Sequence, residues 1–116
     1  MSSLIALLCF HLDCTPNELD EYLEEIEIKM RNCPVRTLHL KHKQKRFLGG
    51  GITLQGANTL KAFRGKHGVT VAQYYFARHK VDLKYPSLPC VVELGGNGHE
   101  SYFPLEVLTY DKYFNA

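Results

Sequence analysis

Pro34 divides this chain into two stretches with different hydrophobic periods, and any fold has to accommodate both. Before it, Leu19, Tyr22, Leu23, Ile26 and Met30 recur at helical spacing, with acids on the opposite face. After it, short apolar runs separated by glycine and proline take over, the pattern of strands and turns. Thr15-Pro16-Asn17-Glu18 marks where the helix starts. Thr15 suits the N-cap, Pro16 the first helical position, and Glu18 completes a capping box. The helix is expected to end near Asn32, because proline disfavours helical backbone in the residue before it. Upstream, Leu4 to Leu12 suits a buried helix or a strand, and periodicity alone does not choose between them.

Beyond Pro34, Val35 to Leu40 reads as a strand, followed by a basic hairpin region from Lys41 to Arg46. Phe47-Leu48 leads into Gly49-Gly50-Gly51, a turn or bulge, and Ile52 to Leu54 is a second strand candidate. Thr59 to Phe63 is a further short strand, and Gly65 to Gly68 a turn. Val71 to Lys80 suits a short helix, with Val71, Tyr74, Tyr75 and Arg78 on one face. Cys90 to Leu94 and Ser101 to Leu108 read as strands on either side of a glycine-rich hairpin loop at 95–98. The expected fold is α+β, mainly β. It is a partly open β-barrel of the OB type, with two N-terminal helices and an inserted module of β-hairpin and helix. A length of 116 residues gives room for one domain, 1–116, and Met1-Ser2-Ser3 reads as the start of a piece of a larger protein.

Charge narrows the function. Residues 1–33 carry seven acids against Lys29 and Arg31, whereas residues 34–84 carry eleven bases against Asp82 alone. Such segregation implies one acidic and one basic face, and the basic face points to a polyanionic partner. The longest apolar run, Leu4 to Phe10, is seven residues. A bilayer span needs about 20, so no membrane partner is expected. The four cysteines, at 9, 14, 33 and 90, have no CxxC spacing. They read as reduced thiols of a cytoplasmic or nuclear protein.

Four chemistries compete. Residues 39–103 interleave bases with aromatics, among them His39, Lys45, Arg46, Phe47, Phe63, Arg64, Tyr74, Arg78, His79, Tyr102 and Phe103. Single-stranded nucleic acid is held by this mixture, since aromatic faces stack on bases while cations and hydroxyls hold phosphates. Some aromatics must instead be core, with Tyr75, Phe76 and Tyr85 the candidates. Cys9, Cys14, His39 and His42 offer four zinc ligands, but Cys9 lies inside the apolar run, and no metal or other cofactor is expected. His39, His79 and Lys45 have the residue types of a small histidine-dependent ribonuclease, with nothing in the sequence to fix their geometry. The triple glycine lacks the lysine and hydroxyl residue of a phosphate-binding loop.

The stretch Val69 to Lys80, with Thr70-Val71-Ala72-Gln73-Tyr74-Tyr75-Phe76 at its centre, closely resembles the PAZ domain of Argonaute proteins. So do Leu83-Lys84-Tyr85-Pro86-Ser87-Leu88-Pro89-Cys90 and the closing Tyr102-Phe103-Pro104-Leu105-Glu106-Val107. These motifs span about a third of the chain, and the front helix pair and strand order resemble the same domain. The resemblance implies a sequence-independent RNA-binding module, not an enzyme, that anchors the last two nucleotides of a small guide RNA in RNA silencing. The partners it implies are the single-stranded 3′ end of an siRNA, miRNA or piRNA-like guide and the rest of an Argonaute chain. The compartments it implies are the cytoplasm, the nucleus and RNA granules.

Carried over residue by residue, Tyr74, His39 and His79 match the positions that contact the phosphate between the final two nucleotides. Arg78 matches the basic position beside them, and Lys45 an arginine reaching the backbone. Phe63 matches the aromatic on which the terminal base stacks, and Tyr102 and Phe103 the strand that approaches the terminal ribose. Phe47 stands where the family usually has a tyrosine, and Phe103 where it has a leucine. Without the resemblance, the alternatives are the ribonuclease and a generic single-stranded nucleic-acid-binding domain.

Overall fold

The computed structural model describes residues 3–40, 44–96 and 102–112. Leu4–Leu12 is a helix, α1, capped by the Ser3 hydroxyl and closed by Asp13 in the left-handed conformation. Pro16–Tyr22 winds as a 3₁₀ helix and Leu23–Met30 follows as α2. The Thr15 start signal is present: the Glu18 carboxylate accepts from the Thr15 N–H at 2.9 Å and from its hydroxyl at 3.0 Å. The acids of this stretch face solvent, except Glu27, which is half-buried against β2, while Leu19, Ile26 and Met30 are buried, as the periodicity requires.

Five strands follow. β1 is Arg31–Thr37, β2 Arg46–Gly56, β3 Pro89–Glu93, β4 Tyr102–Pro104 and β5 Leu108–Tyr110. They form one antiparallel sheet in the order β4-β3-β2-β1-β5. This order forces the sheet to curl. In a flat sheet the two edge strands would lie about 19 Å apart, four spacings of 4.8 Å. The four residue steps from Pro104 to Leu108 span at most about 14 Å, and three of those residues are coiled in a 3₁₀ turn. A half-barrel brings the edges within reach. α1 packs against this crossover and β5, and α2 against β1 and β2, so the core lies between the helices and the sheet.

Several boundaries differ from the sequence reading. β1 begins directly after α2 and stops at Thr37, so Leu38 to Leu40 lie in a bend beyond the strand and not within it. Phe47-Leu48 and Ile52 to Leu54 are one strand, running through the triple glycine. The reason is steric. A Cβ on Gly49 would sit 2.2 Å from the Met30 carbonyl oxygen, and Gly51, at φ +105°, faces the Glu27 carboxylate. The glycines let β2 slip past α2 through register shifts on both sides, while Glu27 accepts the Ile52 N–H and pairs with Arg31 at 2.6 Å. Thr59 to Phe63 is not a strand. It holds a single bridge, Lys61 to Thr70, and leads into a 3₁₀ turn at Phe63–Gly65. The expected last strand, 101–108, splits into β4, the 3₁₀ crossover and β5, and its first residue lies outside the described residues.

The inserted module occupies 57–88, between β2 and β3. It consists of the turn closed by the Lys61–Thr70 bridge and the helix α3, Val71–His79. α3 has a complete capping box: Thr70 Oγ1 accepts from the Gln73 N–H and the Gln73 amide oxygen accepts from the Thr70 N–H. Val71 and Tyr75 turn inward and are buried, Tyr85 is half-buried, and Phe76 is 60% exposed.

Candidate nucleic-acid interface

α3 lies over the mouth of the half-barrel because Tyr75 ties it there. The Tyr75 hydroxyl donates to the Tyr102 carbonyl at 3.3 Å, and its ring packs on His39 and His79. Burial raises the Tyr75 phenol well above its usual range, so it stays a neutral donor. The space left between α3, β4 and the bend after β1 is a cavity of about 230 Å³. It is lined by His39, Leu40, Lys45, Tyr74, Tyr75, His79, Tyr102 and Phe103. Six of the nine residues singled out for RNA contact therefore share one cavity, although they span 65 positions, 39 to 103.

The charge in this cavity is held in an unusual state. His39 and His79 meet edge to face at 4.5 Å between centroids. Burial, and then the neighbouring His79, lowers the His39 pKa to about 4. Burial and Arg78 lower that of His79. The His39 Nδ1 is buried and has no hydrogen-bond partner among the described residues. A buried polar atom without a partner costs stability, and an anion or hydroxyl entering the cavity would satisfy it. The Lys45 ammonium pairs with Glu93 at 2.7 Å and lies 5.7 Å from the centre of the Phe103 ring. Glu93 was not singled out in the sequence. It lies on β3 opposite Gly49 of β2, a pairing across strands 44 positions apart that alternation does not reveal.

The remaining candidates surround the cavity. Phe63 is half-buried, and its ring meets Tyr74 at 5.1 Å and His67 at 5.2 Å. Its backbone is left-handed, φ +54°, a rare conformation for a bulky side chain. Arg78 is exposed on α3 next to His79. Phe47 is buried with only 4% exposure behind Phe103, ring centroids 4.6 Å apart, so it supports the cavity without lining it. Arg46, also among the interleaved bases, pairs with the buried carboxylate of Asp111 and so ties the start of β2 to the end of β5 across β1. The side chain of Arg64, and all of Lys41, His42 and Lys43, lie outside the described residues. No cluster of three or more metal-ligating side chains occurs among the described residues.

Other grooves have different chemistry. One of about 400 Å³ beside Gln73 and Phe76 carries no cationic side chain among its lining residues. No described helix is long and apolar enough to cross a membrane.

The family model of the PAZ domain matches residues 9–115. Over 100 residues the chain is 34% identical to the Piwi-like protein ergo-1 of Caenorhabditis elegans, which covers 80% of this chain and 8% of that protein. The chain thus spans a small part of the relative's length. Among solved structures, the Drosophila Argonaute 2 PAZ domain, described for 3′ end recognition of nucleic acids, matches with a TM-score of 0.71 at 22% identity. That match covers 95% of this chain and 94% of that one. The Drosophila Ago-PAZ domain in complex with 3′-end 2′-O-methylated RNA matches with a TM-score of 0.74 at 23% identity, covering 96% and 98%.

Proposed function

The chain belongs to the PAZ domain family, and on that premise we propose that it anchors the 3′ end of a small guide RNA, whatever the RNA's sequence. The observation that carries this reading is the single cavity in which His39, Lys45, Tyr74, His79, Tyr102 and Phe103 converge. Its size and chemistry suit a phosphate flanked by sugar and base. Two imidazoles, a tyrosine and an ammonium surround the space, and Phe63 stands against Tyr74 as a stacking face for a terminal base. Nothing in this set reads base edges, so binding is indifferent to sequence. In this reading residues 1–116 are one module of a longer Argonaute- or Piwi-like chain acting in the cytoplasm, the nucleus or RNA granules. An siRNA, miRNA or piRNA-like strand is the guide.

The ribonuclease reading has a geometric argument for it, since His39, His79 and Lys45 do share a cavity. Protonation argues against it. Acid–base cleavage needs one imidazolium as acid and one imidazole as base near the working pH. Here both histidines are pushed toward the neutral form, His39 to about 4. A binding pocket with no catalytic residue is the better account.

The test is a fluorescence titration with a short RNA carrying a free two-nucleotide 3′ overhang, beside the same RNA ending in a 3′-phosphate, at one salt concentration. Tight binding of the first and weak binding of the second is expected, because the extra charge and bulk must enter a small cavity of about 230 Å³. Equal binding would leave only a basic, stacking surface and overturn the end-anchoring reading.

A further inference from the structure

We propose that Cys9 and Cys14 form an oxidisable dithiol at the end of α1, which closes to an intramolecular disulfide by exchange with a small-molecule disulfide. The argument starts from how α1 ends. Asp13 is left-handed at φ +53°, and both its N–H and that of Cys14 are directed to the Cys9 carbonyl, the latter at 3.1 Å. The bond from Cys14 back to Cys9 is the six-to-one bond of a Schellman-type helix end, in which the side chains at those two positions commonly meet. In most helices that contact is apolar. Here both positions carry thiols.

The backbone hydrogen bond brings the two residues close to the separation a disulfide needs. The path from Cys14 Cα through its N–H to the Cys9 carbonyl and Cα is about 7.3 Å drawn straight, and the bends at the carbonyl carbon and at the amide nitrogen bring the two Cα atoms closer than that. A disulfide takes Cα separations of about 4.4–6.8 Å. The Cys9 thiol feels its neighbour, because burial raises its pKa first and Cys14, by charge and by hydrogen bond, raises it further. Both residues are half-buried and reachable from solvent, whereas Cys90 is fully buried and pushed up to about 12.

The chemistry balances with glutathione disulfide as oxidant. One protein thiolate attacks a glutathione sulfur, forming a mixed disulfide and expelling one glutathione thiolate. The second protein thiol loses its proton to solvent and attacks the protein sulfur of that adduct, expelling the second. The protein loses two hydrogens and the added disulfide is reduced to two thiols. Because the thiolate is the nucleophile, closure accelerates toward alkaline pH, about tenfold per unit below the thiol pKa.

The test treats the folded protein with glutathione disulfide at pH 8, quenches with acid, alkylates and maps the peptides. No Lys or Arg precedes Lys29, so both cysteines fall on one tryptic peptide. The expected result is that this peptide resists alkylation at both cysteines, carries no glutathione and gains two hydrogens on reduction. The Cys14→Ser protein should stop at a glutathione adduct on Cys9. A persistent adduct in the wild type, a link to Cys33, or free alkylation of both cysteines would overturn the proposal. So would a two-hydrogen loss in the Cys14→Ser protein.

Discussion

His39 and His79 stand edge to face, 4.5 Å between ring centroids, where the bend after β1 meets the last turn of α3. The pair is held toward the neutral form in the free protein, first because burial disfavours an imidazolium, and then because His79 acts on His39 and Arg78 on His79. A phosphate entering the cavity works against that preference, because its charge favours the imidazolium. We therefore expect RNA binding to take up a proton, with affinity rising as pH falls from 8 to 6. The rise is bounded at about tenfold per pH unit for each proton. A pH-independent Kd for the free-overhang RNA would contradict this.

The same shift predicts a stability profile without RNA. An unfolded histidine titrates near 6.5, whereas folded His39 titrates at about 4. Between those values the unfolded chain holds more protons, so stability is full above pH 6.5 and falls progressively as pH drops to 4. Melting curves of His39→Gln should be flatter than wild type across that window. Parallel curves would mean that His39 is not the group responsible.

How much of this was legible in the sequence depended on whether the signal was local. The Thr15–Glu18 start of the 3₁₀ turn and α2, the helix over 71–79 and the strand at 89–93 rest on neighbours within a few residues, and they appear where caps and periodicity put them. The triple glycine did not read as mid-strand, because its cause is the Met30 carbonyl, 19 positions away. Phe47 looked like a contact residue, yet it faces the core side of β2, and a strand beginning at an uncertain residue does not reveal its faces. The cavity residues were found through motif resemblance, whereas Glu93 matches no motif and emerges only from the β2–β3 register.

Lys45 is not a bare cation in this cavity, because Glu93 holds its ammonium at 2.7 Å. Any phosphate reaching Lys45 competes with that carboxylate. Glu93→Gln should tighten RNA binding severalfold at low salt, and the gain should shrink as salt screens the partly exposed pair. Lys45→Ala should weaken binding across all sequences and reduce the salt slope by about one. Titrations at two salt concentrations check both. Weaker binding by Glu93→Gln would show that the carboxylate positions Lys45 and does not compete for it.

Gly49 makes a sharper structural prediction. A methyl group there meets the Met30 backbone oxygen at 2.2 Å, and backbone cannot rotate aside as a long side chain can. Gly49→Ala should destabilise the fold by at least the ~1–3 kcal/mol of an overpacked core, since β2 and α2 must separate. Chemical denaturation measures it. A loss below about 0.5 kcal/mol would mean that the crossing of β2 past α2 is looser than the structure implies.

Phe63 joins strain and function in one residue. Its left-handed backbone costs about 1–2 kcal/mol for any residue bearing a Cβ, and its ring stands against Tyr74 at the edge of the cavity. If the ring is the stacking face, Phe63→Ala and Phe63→Gly should lose RNA affinity equally, by about 1–3 kcal/mol, the range for one stacked base. Their stabilities should differ, with the glycine variant about 1 kcal/mol more stable than the alanine variant, because only glycine occupies this backbone without strain. Titration and melting of the two proteins side by side separate the effects. Normal RNA binding by a folded Phe63→Ala protein would remove Phe63 from the interface, and equal melting of the two variants would show that the turn relaxes out of the left-handed region once the ring is gone.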